Sequence, residues 1–417
     1  MPKLPRGVPK PYKTEDGVWV CRFYVGTAPN GRRLTRTASS ADWQTCINKA
    51  KKLRDDIAAG NLEESAGVKV SDWMEEWLND IAKPRLRPRV WETYKSTVKC
   101  NIVPHIGARK LKDLTPADVR AMHKAVAKAG KSSRTVEIAH NTLSKALSDA
   151  MNNYKTTGIK ENVCDLVDKP KVTSKNRGAL TAEQARKLLT VSAEANDPMV
   201  SRWATALFTG ARQGEALALQ WDRVDFENNL IDLSWQLQDL PKKHGCGDPT
   251  PKGNFPCGKN PTRPSTCPAS TWDVEPGFEM IPLGSGRRCM VRPKTTKSIR
   301  IVPMVPPLAA ALLQHRESAE PNPFSFVWVS EQIRPIASRE DGEGWSDALA
   351  KADLPHVTIH AARHTTATLL LEAGVDPMII AQILGHVSIL TTQMYTHVDQ
   401  TLARQALSKL DKLIQIA

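Results

Sequence analysis

TIHAARHTTATLLLEAGVDPMIIAQILGHVSILTTQMYTHV, residues 358–398, holds most of the chain's chemistry, and its punctuation is helical. Thr358 stands where a helix cap belongs, ATLLLEA supplies an interior, and Gly374 supplies a stop. Asp376 followed by Pro377 is a capping side chain and then a proline at the first helical position, and Gly385 ends the helix that follows. Ser388 can cap a brief third helix carrying Tyr395. His360 and Arg363 are three apart, so both side chains should leave one helix face. An imidazole and a guanidinium there suit an oxyanion such as a phosphate, which a guanidinium grips with two hydrogen bonds. His386 lies just past Gly385, and Tyr395 follows nine residues later. A phenol has a reference pKa of about 10, so it attacks at neutral pH only beside a proton acceptor and positive charge. Taken singly, each residue reads as a surface or packing group; the spacing carries the chemistry.

Upstream, Thr181 can cap the helix AEQARKLLTVSA, and a second helix over 199–208 breaks at Thr209-Gly210. Arg212 opens the next helix with Glu215 three residues on, so the carboxylate can aim the guanidinium through a charged hydrogen bond. Ile231, Leu233, Trp235 and Leu237 alternate with polar residues and predict one half-buried strand. Strands at 288–292 and 298–303 are expected to form a hairpin whose tip, 293–297, carries Lys294 and Lys297. Between these strands runs PKKHGCGDPTPKGNFPCGKNPTRPSTCP, residues 241–268, dense in Pro and Gly and almost free of apolar side chains. It cannot bury a core, so it is either disordered or stapled. His244, Cys246, Cys257 and Cys267 are four candidate zinc ligands in irregular spacing; free thiols in a mobile loop are the alternative.

Toward the N-terminus, Trp19, Cys21, Phe23 and Val25 alternate with Val20, Arg22 and Tyr24, Asn30-Gly31 signals a hairpin turn, and RRLTRT returns. Trp43, Ile47, Ala50, Leu53 and Ile57 then recur at helical spacing until Gly60. Up to Gly60 there are twelve Lys and Arg against five Asp and Glu, an excess of seven. Arg22, Arg32, Arg33 and Arg36 on a small sheet suit a DNA groove; a solvated basic face is the alternative. After a short linker at 62–67 the chain reads as helices: Val70, Trp73, Met74, Trp77 and Ile81 stripe the first, Trp91, Tyr94, Val98 and Ile102 the second. Thr115-Pro116 opens a third, and Val136, Ala139, Leu143, Leu147 and Met151 stripe a fourth. The aromatic stripe reads as core. Residues 168–178, DKPKVTSKNRG, are basic and aperiodic, as an interdomain linker would be.

A length of 417 residues predicts two or three domains, and 41% hydrophobic residues suffice for packed cores. The formal charge of +14 favours a polyanionic partner. The first residues hold no apolar run of the kind a secretion signal needs, and no stretch has the length of a membrane span. Four cysteines are scattered singly and four cluster late, unlike a secreted disulfide scaffold, so a cytoplasmic protein is expected.

The strings H-A-A-R-H-T-T-A-T, I-L-G-H and Y-T-H resemble the C-terminal signature of the tyrosine recombinases, the integrases of phages and mobile elements. The likeness extends upstream through P-K-T-T-K-S-I-R-I-V-P to F-T-G-A-R-Q-G-E, so it spans roughly residue 179 to the C-terminus. Ala211 stands where the family usually has Leu. The resemblance implies a multidomain fold. A small α+β arm-type DNA-binding module (1–62, three-stranded sheet plus helix) would precede an all-α core-binding domain (66–168) and a basic linker (169–178). A mainly α catalytic domain with a small antiparallel sheet (179–417) would follow, carrying the insertion at about 240–287.

It also implies a metal-free DNA transesterification. Tyr395 would attack a scissile phosphate and leave a 3′-phosphotyrosyl bond, with Arg212 and Arg363 on the non-bridging oxygens and Glu215 in support. Lys294, or Lys297 in its place, would protonate the leaving 5′-oxygen, while His360 would take or share the tyrosine proton and His386 would donate to the phosphate. Catalysis would need no cofactor; any zinc in the insertion would be structural. The implied partners are double-stranded DNA attachment sites, three further copies in a tetramer, and a directionality factor or DNA-bending protein. The amphipathic tail with Leu402, Leu407, Leu410, Leu413 and Ile414 would dock on a neighbouring subunit, the alternative being its own domain. A type IB topoisomerase and a catalytically inactive DNA-binding regulator are the competing functions.

Overall fold

The computed structural model describes residues 4–14, 17–27, 33–58, 68–152, 157–172, 178–250, 253–293, 299–385 and 400–414. The Asn30-Gly31 turn, the 62–67 linker, Lys294, Lys297, His386, Ser388 and Tyr395 therefore lie outside the described residues, as does Arg32. Two compact units are present, Met1–Thr173 and Ser174–Ala417.

The first unit begins with an antiparallel three-stranded sheet, Tyr12–Lys13, Trp19–Thr27 and Arg33–Ser40 in that order, followed by the helix Trp43–Ala58. Its small core has Cys21, Phe23 and Ala38 from one sheet face against Cys46, Ile47 and Ala50 from the helix. The alternation of the strand thus sends Arg22 and Tyr24 outward. In the backbone register of this sheet Arg22 pairs with Thr37 and Phe23 with Arg36.

The helical block that follows has its own core, with Trp73, Trp77 and Trp91 buried as the stripe predicts. Each indole N–H finds an acceptor: Trp73 donates to Ala146 O at 3.0 Å, Trp77 to Asp149 Oδ2 at 2.7 Å and Trp91 to Leu78 O at 2.9 Å. Thr115 caps Pro116–Lys128 through a reciprocal bond with Asp118. The first two helices are interrupted in a way periodicity does not reveal. Both Val70–Glu76 and Pro88–Thr97 pass into wider turns, Trp77–Ala82 and Val98–Ile102. Lys83 N–H then bonds to Leu78 O and Val103 N–H to Val98 O, five residues back. Pro84 and Pro104 come next in sequence, and a proline lacks the N–H an α-helix would use there, so the preceding amide reaches one carbonyl further.

The second unit is built on Val200–Thr209, a helix buried from Ser201 to its end and packed under Ile359–Glu372 and Pro306–Ser318. Thr181 caps Ala182–Glu194 with a reciprocal Gln184 bond, as read. The single strand expected over 231–237 is two. Leu230–Asp232 pairs with Ile301–Pro303, and Gln236–Asp239 pairs with Arg288–Val291. Between them Ser234 is buried and the chain crosses from one sheet to another, so burial continues while the partner changes. The strands around 288–292 and 298–303 consequently lie in different sheets rather than pairing as a hairpin.

The tail helix Gln400–Ile414 folds onto its own unit. Ala403, Ala406, Leu407, Leu410 and Ile414 are buried in the common core. Arg186 donates to the Ile414 and Leu413 carbonyls at 2.9 Å, covering the helix C-terminus. In a lone chain that apolar face has only its own domain to cover it, which is the alternative to docking on a neighbour.

Arg202 and Asp341 form an ion pair at 3.0 Å with both side chains fully shielded from solvent. Arg202 lies over Trp203 and Trp328, and Asp341 also accepts from Gln213 Nε2 at 3.0 Å. Removing one partner leaves an uncompensated buried charge. Asp341→Ala is therefore expected to lower unfolding free energy by about 3–5 kcal/mol, read by urea denaturation, with Arg202→Met on top recovering much of the loss.

Candidate active site

Three arginines from separate elements meet at the end of one helix. Pro377–Leu384 starts at Asp376, whose carboxylate accepts Met378 N–H at 2.6 Å, and stops at Gly385, which is left-handed. Its last carbonyls are gripped from two sides. Arg212 donates from Nη2 to Gly385 O at 3.0 Å, and Arg363 donates from Nη2 to Leu384 O. The other Arg363 nitrogen, Nη1, donates to Gly210 O at 2.8 Å. Gly210 ends Val200–Thr209 with φ +59°, and a Cβ there would meet Leu384 Cδ2 at 2.3 Å. Glycine at this position is thus what lets the two helix ends approach closely enough for Arg363 to bridge them.

Arg212 precedes the short helix Gln213–Leu217 in an extended conformation. Its Nη1 donates to Glu215 Oε1 at 2.7 Å and its backbone N–H to Glu215 Oε2 at 2.9 Å, so the expected Arg–Glu pair is present. The same carboxylate takes a third charged donor, Arg300 Nη2, at 2.8 Å. Arg300 was not among the residues read from sequence as functional. It sits buried between the exposed Ile299 and Ile301, the reverse of what hydropathy predicts.

The cluster holds three guanidiniums and one carboxylate, a formal charge of +2. Burial, together with Arg212 and Arg300, pushes Arg363 down to about 9, which still leaves it charged at neutral pH. Burial works to raise Glu215, but Arg300 and Arg212 outweigh it and hold the carboxyl below the ordinary glutamate value. A depressed folded-state pKa contributes stability that is present above the unfolded value and fades as pH falls through the folded one. Glu215→Gln is accordingly expected to cost about 2–3 kcal/mol at neutral pH. It should also flatten the acid limb of stability against pH below about 4.5, measured by denaturant melts across the pH range.

His360, in the first turn of Ile359–Glu372, is exposed, whereas Arg363 three residues on is buried. The two share a helix without sharing an environment: the imidazole stands at the rim, edge-on to His364 with ring centroids 5.3 Å apart. Thr358 occupies the cap position of this helix, but its hydroxyl does not cap; its carbonyl accepts Ala361 N–H at 2.7 Å instead. His386 follows directly on the Gly385 carbonyl that Arg212 holds, although its own placement, with those of Lys294 and Tyr395, lies outside the described residues. What the described residues offer is a largely buried cluster of formal charge +2, with the Arg212 side chain 35% exposed. Such a cluster favours an oxyanion over any neutral ligand.

Elsewhere, one ligand atom each from His244, Cys246, Cys257 and Cys267 lies within 4.8 Å of the others. Arg22 is exposed and donates to Tyr12 Oη at 2.9 Å; the side chains of Arg33 and Arg36 lie outside the described ones.

Comparison with known proteins places these residues in context. Residues 284–401 match the phage integrase family, and residues 69–126 match the phage integrase N-terminal SAM-like domain. An integrase of Saccharopolyspora erythraea is 26% identical over 98% of this chain and 97% of its own length. Among solved structures, the Tn1549 transposon integrase in complex with transposon right end DNA is similar with a TM-score of 0.60, at 19% identity over 82% of this chain and 99% of that one. A lambda integrase tetramer bound to a Holliday junction is similar with a TM-score of 0.52, at 15% identity over 95% of this chain and 99% of that one. No helix among the described residues is long and apolar enough to cross a membrane. The arginine cluster, the strings around it and these matches agree, and the chain belongs to the tyrosine recombinases of the phage integrase family.

Proposed function

We propose that the chain is the site-specific recombinase of a mobile element, cutting and rejoining DNA at attachment sites through a 3′-phosphotyrosyl intermediate. The observation that carries this reading is the convergence of Arg212 and Arg363 on adjacent carbonyls, immediately before His386. A scissile phosphate entering there would take the place of carbonyl oxygens as acceptor, and both guanidiniums would offset the charge that builds in the pentacoordinate transition state. Arg300 holds the Glu215 carboxylate that also holds Arg212, so Arg300 and Glu215 act as positioning residues for Arg212. Tyr395 is the nucleophile, His360 takes or shares its proton, His386 donates to the phosphate, and Lys294 protonates the departing 5′-oxygen. The phosphotyrosine conserves the bond energy for religation, so the family's chemistry needs no cofactor.

In the same reading, the 1–62 module and the 66–168 block also bind the duplex, with 169–178 as the linker to the catalytic domain, and four protomers exchange tails on two duplexes. The experiment is a nicked suicide duplex carrying an attachment site, with the adduct digested and the modified peptide sequenced. A covalent product mapped to Tyr395, and recombinant junctions from a plasmid with two sites, are expected. Relaxation without junctions would favour the topoisomerase reading, and no adduct at all would favour a DNA-binding regulator.

A further inference from the structure

The insertion between the paired strands Gln236–Asp239 and Arg288–Val291 has little else to hold it. Over 241–268 the described residues form two short pieces of regular structure, Lys242–Lys243 paired with Thr271–Trp272, and one helical turn, Pro264–Thr266. Apolar burial cannot order such a segment, because Phe255 is its one large apolar side chain. It is nevertheless folded around a point. His244 Nδ1 lies 3.4 Å from Cys257 Sγ and 4.0 Å from Cys246 Sγ, and Cys267 Sγ completes a set whose members are all within 4.8 Å. Cys267 is buried while the stretch around it is largely exposed.

We propose that His244, Cys246, Cys257 and Cys267 bind one structural zinc ion that fastens this insertion to the catalytic domain. Zn–S bonds of about 2.3 Å and Zn–N bonds of about 2.0–2.1 Å in a tetrahedron put neighbouring ligand atoms roughly 3.5–3.8 Å apart. The observed separations bracket that range. A disulfide would need sulfurs about 2.05 Å apart, and it would leave an odd thiol and the imidazole without a role.

The surroundings suit the ion. The His244 ring is stacked on Phe255, centroids 3.8 Å apart and 7° from parallel, which fixes the direction of Nδ1. Gly245 is required between two ligands, since a Cβ there would meet Ala269 O at 2.1 Å. Cys246 and Cys257 are each followed by a glycine at positive φ, Gly247 at +114° and Gly258 at +64°, so the chain can turn back around each sulfur. Backbone amides of Cys257 and Ala269 face the Cys246 and Cys267 sulfurs, as N–H donors do around thiolate ligands. Three thiolates and one dication sum to −1, and Lys242, Lys243, Lys259 and Arg263 nearby in sequence oppose that charge. The four ligands offer no open position, which is the mark of a structural rather than a catalytic site.

The ion has something to fasten. The insertion returns through Met280–Pro282 to Arg288–Val291, with Leu240, Cys289 and Val291 packed beneath Trp272, Phe278 and Met280. Arg288–Val291 leads, two residues on, into the segment bearing Lys294. Loss of the metal should therefore loosen the insertion first and the approach to the lysine second.

The test uses the full chain purified without chelator and measured by plasma mass spectrometry. About one zinc per chain is expected, falling about tenfold in Cys257→Ser and in Cys267→Ala, while His244→Cys, which keeps four ligands, retains it. Chelation should speed proteolysis within 247–266 by about tenfold, with helical circular dichroism unchanged. Cobalt in place of zinc should show thiolate-to-metal charge-transfer absorption. Wild type that holds no metal after dialysis against equimolar zinc, a disulfide among these cysteines in the purified chain, or Cys257→Ser binding as much zinc as wild type would each overturn the assignment.

Discussion

Tyr395→Phe is expected to abolish the covalent protein–DNA adduct on a nicked suicide duplex, a loss of about 10⁶-fold in cleavage rate. The substitution removes one oxygen and keeps the ring, so packing and duplex affinity should change by no more than about 0.5 kcal/mol. The size of the loss follows from the chemistry. A phosphodiester attacked by a phenolate keeps its bond energy in the new ester, whereas a phenyl ring offers no lone pair, and water in its place would give hydrolysis without an adduct. Gel shift on the intact site and denaturing gels on the nicked one separate binding from cleavage. An adduct formed at wild-type rate by Tyr395→Phe would show that another residue attacks.

The second large effect is at Arg363. Arg363→Lys should lower single-turnover cleavage by about 10³–10⁵-fold, the range over which arginines act on transferring phosphoryl groups. Its guanidinium holds Gly210 O and Leu384 O with two separate nitrogens and is buried among two further cations. An ammonium is a single point of charge that cannot span both carbonyls and still face a phosphate, so the change removes positioning as well as charge. Arg212→Lys should lose less stability, because Arg212 is the more exposed of the two. Thermal melts run alongside separate catalytic from folding losses. Cleavage by a well-folded Arg363→Lys within about threefold of wild type would remove this residue from the transition state.

Features announced by local chemistry were legible before any coordinates. Thr115, Thr181 and Asp376 cap where they stand, Gly374 and Gly385 stop helices with positive φ, and the Arg212–Glu215 pair forms at its helical spacing. What escaped depended on partners far away in the chain. The alternation over 231–237 correctly marks inward residues but cannot say that Leu230–Asp232 and Gln236–Asp239 join different sheets. Arg300 is hidden from hydropathy because its burial is made possible by Glu215, 85 residues earlier. The widened turns before Pro84 and Pro104 are readable in hindsight, since a missing N–H has a fixed address, but a stripe at helical spacing conceals them. For the zinc ligands, sequence offered composition without a pattern, and only folding brings the four atoms within 4.8 Å.

The tail helix has a consequence for assembly. Leu407, Leu410 and Ile414 are covered by the chain's own catalytic domain, and an identical neighbour presents the same groove. Exchanging tails between protomers would then alter connectivity while conserving the contacts made, so the swap itself has little free-energy bias. The balance passes to effective concentration: chains lined up side by side on a duplex meet one another's grooves far more often than chains in dilute solution.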